Sequence, residues 1–358
     1  MGAPINKINS WVETTADMII DVRSPSEFEN DHIPGAINMP VLNDDERAEV
    51  GTMYKNIGAF HARRYGGAIV AKNISQHILN YLQEKPAEFR PMIYCWRGGQ
   101  RSNSFARICS DIGWQTYILE GGYKSYRREV LIGLETIVPN INPILISGPT
   151  GTGKTRLLHQ IAKSGGQILD LEGLANHRGS LLGLKPGEKQ PSQRYFESLL
   201  LLQIRQLKLE DPIFVEAESS KIGEIQIPKY LFKLMKTAPL IEITMPLENR
   251  AKFLMKEYQY LQTHSQALYN LFDAMFYRHG AEKTNTWREL AKNQDWYELA
   301  LNLIQSHYDP AYKTSSMRKQ RDVNHTIMIN NGVNDEFKKA AKIVLERYKR
   351  ELEFTRYE

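Results

Sequence analysis

Gly148-Pro-Thr-Gly-Thr-Gly153-Lys154-Thr155 decides the fold of the second half of this chain. It matches the G-x-x-x-x-G-K-T phosphate-loop (Walker A) pattern in full, and its flanks agree with it. Ile144-Leu-Ile-Ser147 before it predicts a strand, and Leu157, Leu158 and Ile161 after it mark the buried face of a helix. Glycines let successive amides turn inward on phosphate oxygens, while Lys154 neutralises them and Thr155 offers a hydroxyl to a magnesium ion. Gly148, Gly151, Gly153, Lys154 and Thr155 are therefore the expected phosphate-binding residues. The pattern recognises a chain of phosphates, so ATP and a diphosphate ester both remain open, as does binding without catalysis.

Working outward, further strands are expected near 167–171, 213–217, 240–244 and 326–330, separated by helical stretches, which implies a parallel sheet. A helix over 192–209 has Ser192 as its cap and a stripe of Phe196, Leu200, Ile204 and Leu207. A last amphipathic helix is expected over 335–352. Residues 133–143, with two prolines and little periodicity, read as a linker. The domains expected are thus 1–132 and 144–358, the latter with a C-terminal helical region. In the acidic inventory, Asp170 and Glu172 follow the second strand and Glu216 and Glu218 end the run Ile213-Phe-Val215; all four are candidates to complete a magnesium site. Glutamate at 216, where an aspartate is usual, argues against a plain ATPase.

The 358 residues, 42% hydrophobic and 24% charged, describe a globular chain able to bury two cores. No basic leader or membrane-length apolar run is seen, so a cytoplasmic protein without a membrane partner is expected. Two cysteines exclude a disulfide framework, and they lack the spacing of a zinc site. The formal charge of +5 allows a polyanionic partner without requiring one.

In the first half, 17–22 reads as a buried strand and 73–84 as a helix through Ile74, Ile78 and Leu82. Pro91-Met-Ile-Tyr-Cys95 is strand-like and ends on the first cysteine. Cys95-Trp-Arg-Gly-Gly-Gln-Arg101-Ser102 then leads into a helix marked by Phe105, Ile108, Cys109 and Ile112. Backbone amides at that helix start, with Arg97 and Arg101, would lower the thiol pKa and bind an anion, and Gly98 and Gly99 allow the curvature. Cys95, Arg97 and Arg101 are the expected catalytic residues; Cys109 reads as inert packing.

These residues, with Asp21-Val-Arg-Ser-Pro-Ser-Glu27-Phe, His32-Ile-Pro-Gly-Ala-Ile-Asn38 and Leu119-Glu-Gly-Gly-Tyr123, resemble the rhodanese family over the first third of the chain. The resemblance implies an α/β, rhodanese-like N-terminal domain followed by a P-loop NTPase-like parallel-sheet domain, with Asp21, Arg23 and His32 holding the fold. Cys95 and Arg101 enclose five residues, one more than common sulfurtransferase loops carry. The wider loop resembles that of rhodanese-fold phosphatases and suits a tetrahedral phosphate-bearing group.

Asp170-Leu-Glu-Gly-Leu-Ala-Asn-His177-Arg178-Gly-Ser180 and Glu216-Ala-Glu-Ser-Ser-Lys221-Ile-Gly223 resemble, together with the cysteine loop, the bacterial tRNA 2-selenouridine synthases. That family implies a transferase acting on wobble-position 2-thiouridine. Its sulfur attacks geranyl diphosphate, and selenium from selenophosphate then displaces the geranylthiol, with Cys95 carrying selenium as a selenosulfide. It adds His177, Arg178 and Lys221 to the second-domain candidates. It implies no tightly bound cofactor, geranyl diphosphate and selenophosphate as substrates, magnesium as an ion, and tRNA and a selenophosphate-producing enzyme as partners. Among basic clusters, Lys124, Arg127 and Arg128 are the favoured tRNA-binding residues, ahead of Arg63-Arg64, Arg318-Lys319 with Arg321, and Lys338-Lys339 with Lys342. Trp96 offers a ring for a base or an isoprenoid. The rival reading is a sulfurtransferase or phosphatase fused to an ATP-dependent kinase. Against a phosphatase, Tyr94 stands where a histidine usually precedes the nucleophile. A non-catalytic nucleotide sensor is a third reading, against which the intact Cys95 loop counts.

Overall fold

The computed structural model describes residues 2–12, 14–178, 183, 187–263, 265–314 and 323–355. The cluster Arg318, Lys319 and Arg321, and Ser180, lie outside them. The chain forms two compact units, Met1–Leu134 with Pro191–Leu202, and Glu135–Gln190 with Gln203–Glu358.

The first unit contains β1 (Ile5–Ile8), β2 (Met18–Asp21), α1 (Pro25–Asn30), β3 (Ile37–Asn38), α2 (Asp44–Asn56), α3 (Ala59–His77), β4 (Pro91–Tyr94), α4 (Gln100–Ile112), β5 (Thr116–Leu119) and α5 (Gly122–Thr136). Its parallel sheet has the order β1-β5-β4-β2-β3, with Ile20 opposite Ile93 and Ile93 opposite Ile118. All four residues of β4 are buried, as a central strand covered on both faces requires. Ile20, Val22, Ile93, Phe105 and Cys109 form the core with Ile74 and Leu82. The helix expected over 73–84 is instead α3, which starts at Ala59 and passes into a π turn over Ile78–Leu82. Its buried residues are Ala62, Gly66 and Ile74, too small and sparse to write an apolar stripe.

In the second unit follow β6 (Asn142–Ser147), α6 (Lys154–Lys163), β7 (Gln167–Leu169) and α7 (Leu171–Leu174); the chain then passes through α8 (Gln193–Arg205), which up to Leu202 belongs to the first unit, and re-enters the second with β8 (Pro212–Glu216), the hairpin β9 (Lys221–Ile222) and β10 (Ile225–Gln226), α9 (Lys229–Thr237) and β11 (Leu240–Thr244). Then come α10 (Leu247–Glu257), α11 (Tyr260–Thr263), α12 (Ser265–Lys292), α13 (Trp296–Leu303), α14 (Asp309–Thr314), β12 (His325–Met328) and α15 (Asn334–Thr355). The parallel sheet runs β12-β11-β6-β8-β7. It packs on α6 and α15 through Leu157, Ile161, Phe337 and Val344, while Phe272, Trp287 and Leu303 build a separate helical cluster.

Two boundaries differ from the sequence reading. The segment read as a linker, 133–143, holds the end of α5, a 3-10 turn over Val138–Asn140 with Val138 buried, and the start of β6. Residues 191–202, read as part of the second domain, belong to the first unit. The cause is polar as well as apolar. Ser198 donates to Asp31 Oδ1 at 2.8 Å, Arg127 pairs with Glu197, and Gly133 lies against Leu201. Ser192 does cap α8, accepting from the Tyr195 amide at 3.0 Å. Among the described residues, no helix is long and apolar enough to cross a membrane.

Candidate active sites

Each unit carries its site at the carboxyl end of a central strand, where an open parallel sheet leaves a crevice. In the first unit β4 delivers Cys95, 3% exposed, into a loop that closes at α4. The Gly99 amide donates to Sγ at 3.3 Å and Ser102 Oγ lies 3.3 Å away. Burial pushes this thiol up. Ser102, the amides of Arg97 and Ser102, and the charge of Arg101 outweigh it, so the net shift is downward. Cys109, buried without such donors, is pushed up to about 12.

The turn after β5 backs this loop. Tyr123 and Lys124 amides donate to Cys95 O at 2.8 Å and Trp96 O at 3.1 Å. A Cβ at Gly122, whose φ is +56°, would sit 2.2 Å from Cys95 O. Only glycine permits that approach. The loop's guanidinium is set by Glu27, whose Oε2 accepts from Arg101 Nη1 at 2.9 Å and lies 3.2 Å from Arg47. Burial raises the Glu27 carboxyl, and these two cations bring it below its ordinary value. Arg97 points to solvent and contributes its amide rather than a fixed charge. Trp96 is half-buried with its ring 5.2 Å from that of Tyr123.

Asp21 and Arg23 hold the fold: Arg23 binds both Asp21 oxygens and donates to Asp31 O at 2.6 Å, all buried. His32 bonds Phe28 O and stacks on Tyr195. Tyr94 is buried and its hydroxyl accepts from the Ile33 amide, a structural role. Of the three residues expected to meet RNA, Lys124 and Arg128 are exposed, but Arg127 is held by Glu197 and donates to Arg194 O at 3.2 Å. We therefore remove Arg127 from that group.

In the second unit the phosphate loop joins β6 to α6 and lines a cleft of about 870 Å³. A Cβ at Gly153, φ +81°, would stand 2.4 Å from Phe337 Cζ, so the turn is closed against α15. Lys154 Nζ donates to Gly148 O at 3.2 Å. Thr155 Oγ1 donates to Glu172 Oε2 at 3.4 Å, and Glu172, Glu216 and Glu218 bring carboxylate oxygens within 4.8 Å of one another. Glu216 is 1% exposed and neither of its oxygens has a hydrogen-bond partner among the described residues. Burial and then mutual repulsion raise all three carboxyls, against the pull of Lys154. Three hard oxygen ligands beside a hydroxyl fit a magnesium ion, which would satisfy the orphaned Glu216.

Other second-domain candidates separate from this cluster. Asp170 caps α7 through the Gly173 amide at 2.8 Å and bonds His159 Nε2 at 2.8 Å, which makes it a structural acid. His177 packs where Gly183 and Gly223 leave room for its ring. Arg178 lines the cleft, its guanidinium 5.1 Å from the Tyr258 ring, whereas Lys221 is exposed on β9 and does not line it.

Several residues escaped the sequence reading. Arg250 donates to Thr150 O at 2.8 Å and pairs doubly with Asp309, fixing the loop from outside. Arg156 and Arg278 add cations to the cleft. An apolar pocket of Leu254, Leu261, Leu268, Trp296 and Leu303 borders it, with Thr150, Leu254, Tyr258 and Tyr308 lining both. The sequence reading singled out neither Trp296 nor Leu303, whose apolar spacing is that of any packed helix.

Two family models match, a rhodanese-like domain over residues 6–129 and the tRNA 2-selenouridine synthase AAA domain over residues 141–277. The chain is 37% identical over 247 residues to a tRNA 2-selenouridine synthase of Nitrosomonas europaea, covering 67% of this chain and 63% of that one. It is 35% identical over 328 residues to one from Psychromonas ingrahamii and 31% over 333 to one from Hydrogenovibrio crunogenus. These alignments cover 84% of this chain and 88% and 90% of the relatives. A cysteine loop in a rhodanese-like unit, a phosphate loop in the unit after it, and relatives matched along most of both lead to one assignment: the chain belongs to the tRNA 2-selenouridine synthase family.

Proposed function

We propose that this chain is a cytoplasmic transferase that converts wobble-position 2-thiouridine of tRNA to 2-selenouridine in two transfers, one at each site. In the first, the 2-thiouridine sulfur attacks C1 of geranyl diphosphate. The C–O bond breaks, diphosphate leaves, and the N3 proton passes to solvent. Gly148, Gly151, Gly153 and Lys154 hold the diphosphate. Glu172, Glu216, Glu218 and Thr155 would hold magnesium, which when bound supplies Lewis-acid stabilisation of the leaving oxygens. The observation that carries this reading is the apolar pocket sharing Thr150, Leu254, Tyr258 and Tyr308 with the phosphate cleft. A short isoprenoid diphosphate needs that pairing of greasy and anionic subsites.

In the second transfer the thiolate of Cys95 attacks the phosphorus of selenophosphate. The P–Se bond breaks and selenide leaves. Selenide adds at C2 of the geranylated base, geranylthiolate departs with a proton, and water hydrolyses the S–P bond to free Cys95 and phosphate. Electron balance favours this over a selenosulfide, which would hold selenium more oxidised than selenide and require a reductant. The wide loop, its inward amides and Arg101 suit a phosphoryl group. Intact mass of the enzyme quenched with selenophosphate should show a phosphoryl adduct lost in Cys95→Ser; a selenium adduct would restore the carrier form. Lys124 and Arg128 remain proposed phosphate contacts for tRNA.

Calorimetry in magnesium tests the first site. Geranyl diphosphate should bind in the micromolar range, with ATP at least about ten-fold weaker. Micromolar ATP with no geranyl diphosphate binding would move the site to nucleotide chemistry.

A further inference from the structure

Between Glu49 and Glu84 the sequence has no acidic residue, yet it carries Lys55, Arg63, Arg64 and Lys72. This stretch is the end of α2 and all of α3, which neither sequence motif includes. α2 and α3 cross closely at Gly66, where a Cβ would meet Val50 at 3.1 Å. Ala62, Gly66 and Ile74 of α3 face inward, and the aromatic residues Phe60 and Tyr65 do not. Tyr54, Ile57 and Phe60 are 56%, 60% and 66% exposed, and Lys55, His61, Arg63 and Arg64 are exposed beside them. The Arg64 guanidinium lies 6.0 Å from the Phe60 ring centroid. The acidic residues of α2 stand toward its start. Glu46 is engaged with Asn43 and Asn73, and Glu49 accepts from the Tyr65 hydroxyl.

Two depressions of the same unit lead from this end to Trp96 and Arg101 of the cysteine loop. One is lined by Tyr54, Lys55, Arg47 and Arg101; the other by Glu27, Trp96 and the same two arginines. Arg47 and Arg101 thus join the hairpin to the cysteine loop.

We propose that the α2–α3 hairpin is an RNA-docking surface, on which an unpaired loop sets phosphates against Lys55, Arg63 and Arg64 and a base on Tyr54 or Phe60. Arg47 then guides the target nucleotide toward Cys95. Single-stranded RNA is recognised by such pairing of aromatic faces with guanidinium and ammonium groups. Charge of one sign favours a polyanion over a second copy of the chain. The inference rests on the tRNA reading above but assigns a surface that reading leaves open.

The test is binding of full-length protein to purified tRNA carrying wobble 2-thiouridine, over a range of salt. Arg63→Gln with Arg64→Gln should weaken binding about ten-fold at 0.15 M salt and reduce the log–log salt slope by about 1.4, from about 0.7 per single-strand phosphate contact. Tyr54→Ala with Phe60→Ala should weaken binding about ten-fold at unchanged slope. Arg63→Lys with Arg64→Lys, keeping both charges, should restore the slope. If wild type binds and the neutralised and aromatic variants match it in affinity and slope, the hairpin is not the docking surface. No binding by wild type would remove the tRNA reading and this surface with it. A wild-type dimer dissolved by Tyr54→Ala with Phe60→Ala at unchanged tRNA affinity would give the patch to a second copy and overturn the proposal.

Discussion

Cys95 and Cys109 are fourteen residues apart on opposite ends of one strand-loop-helix unit, and the difference between them lies in the donors and the Arg101 charge around the first. Both are buried; only Cys95 has Ser102 and loop amides turned on its sulfur. Its thiolate therefore forms at lower pH than an ordinary thiol's. We expect the iodoacetamide rate of Cys95 to rise and level off below the usual cysteine range, and Ser102→Ala to move that midpoint to higher pH. A midpoint unmoved by Ser102→Ala would remove Ser102 from the thiolate's support. At the other site, Glu216→Gln should raise the magnesium concentration needed for geranyl diphosphate binding by about ten-fold or more, read by calorimetry, because it withdraws a ligand charge. Unchanged magnesium dependence would take Glu216 out of the ion site. Cys95, Lys154 and the glycines were legible in sequence because their neighbours in space are neighbours in the chain. The partner of Arg101 lies 74 residues away and that of Arg127 lies 70 away, so neither pinned guanidinium could be read.

At the scale of elements, the strand–loop–helix units β4–α4 and β6–α6 were readable from a buried run followed by glycines and a periodic stripe. The α2–α3 hairpin was not, since α3 buries mostly alanine and glycine and leaves its aromatic residues outside. Nor were α10 and α14 legible as supports of the phosphate loop. Their link is the Arg250–Asp309 pair, formed across 59 residues, with the Arg250 side chain 6% exposed and that of Asp309 27%. Arg250→Ala should lower stability by about 2–3 kcal/mol, less than a fully buried pair because Asp309 keeps contact with water. It should also weaken geranyl diphosphate binding, since Thr150 loses its anchor. A melting temperature and affinity equal to wild type would show that the loop holds itself.

For the whole molecule, the order of a rhodanese-like unit and a phosphate-loop unit was present in the motifs, but the assignment of 191–202 to the first unit was not. That helix reads as an apolar stripe belonging to either core, and Ser198, Glu197 and the buried Asp31 decide the matter. The central claim is that two sites perform two separable transfers: carbon transfer at Lys154, selenium transfer at Cys95. The most direct measurement is nucleoside mass analysis of tRNA, supplied either with 2-thiouridine or already geranylated, after incubation with folded Cys95→Ser or Lys154→Ala and both donors. Lys154→Ala should fail on 2-thiouridine yet convert geranylated tRNA to 2-selenouridine, while Cys95→Ser should accumulate the geranylated base and select no selenium from either substrate. Conversion of geranylated tRNA by Cys95→Ser at the wild-type rate would contradict the account.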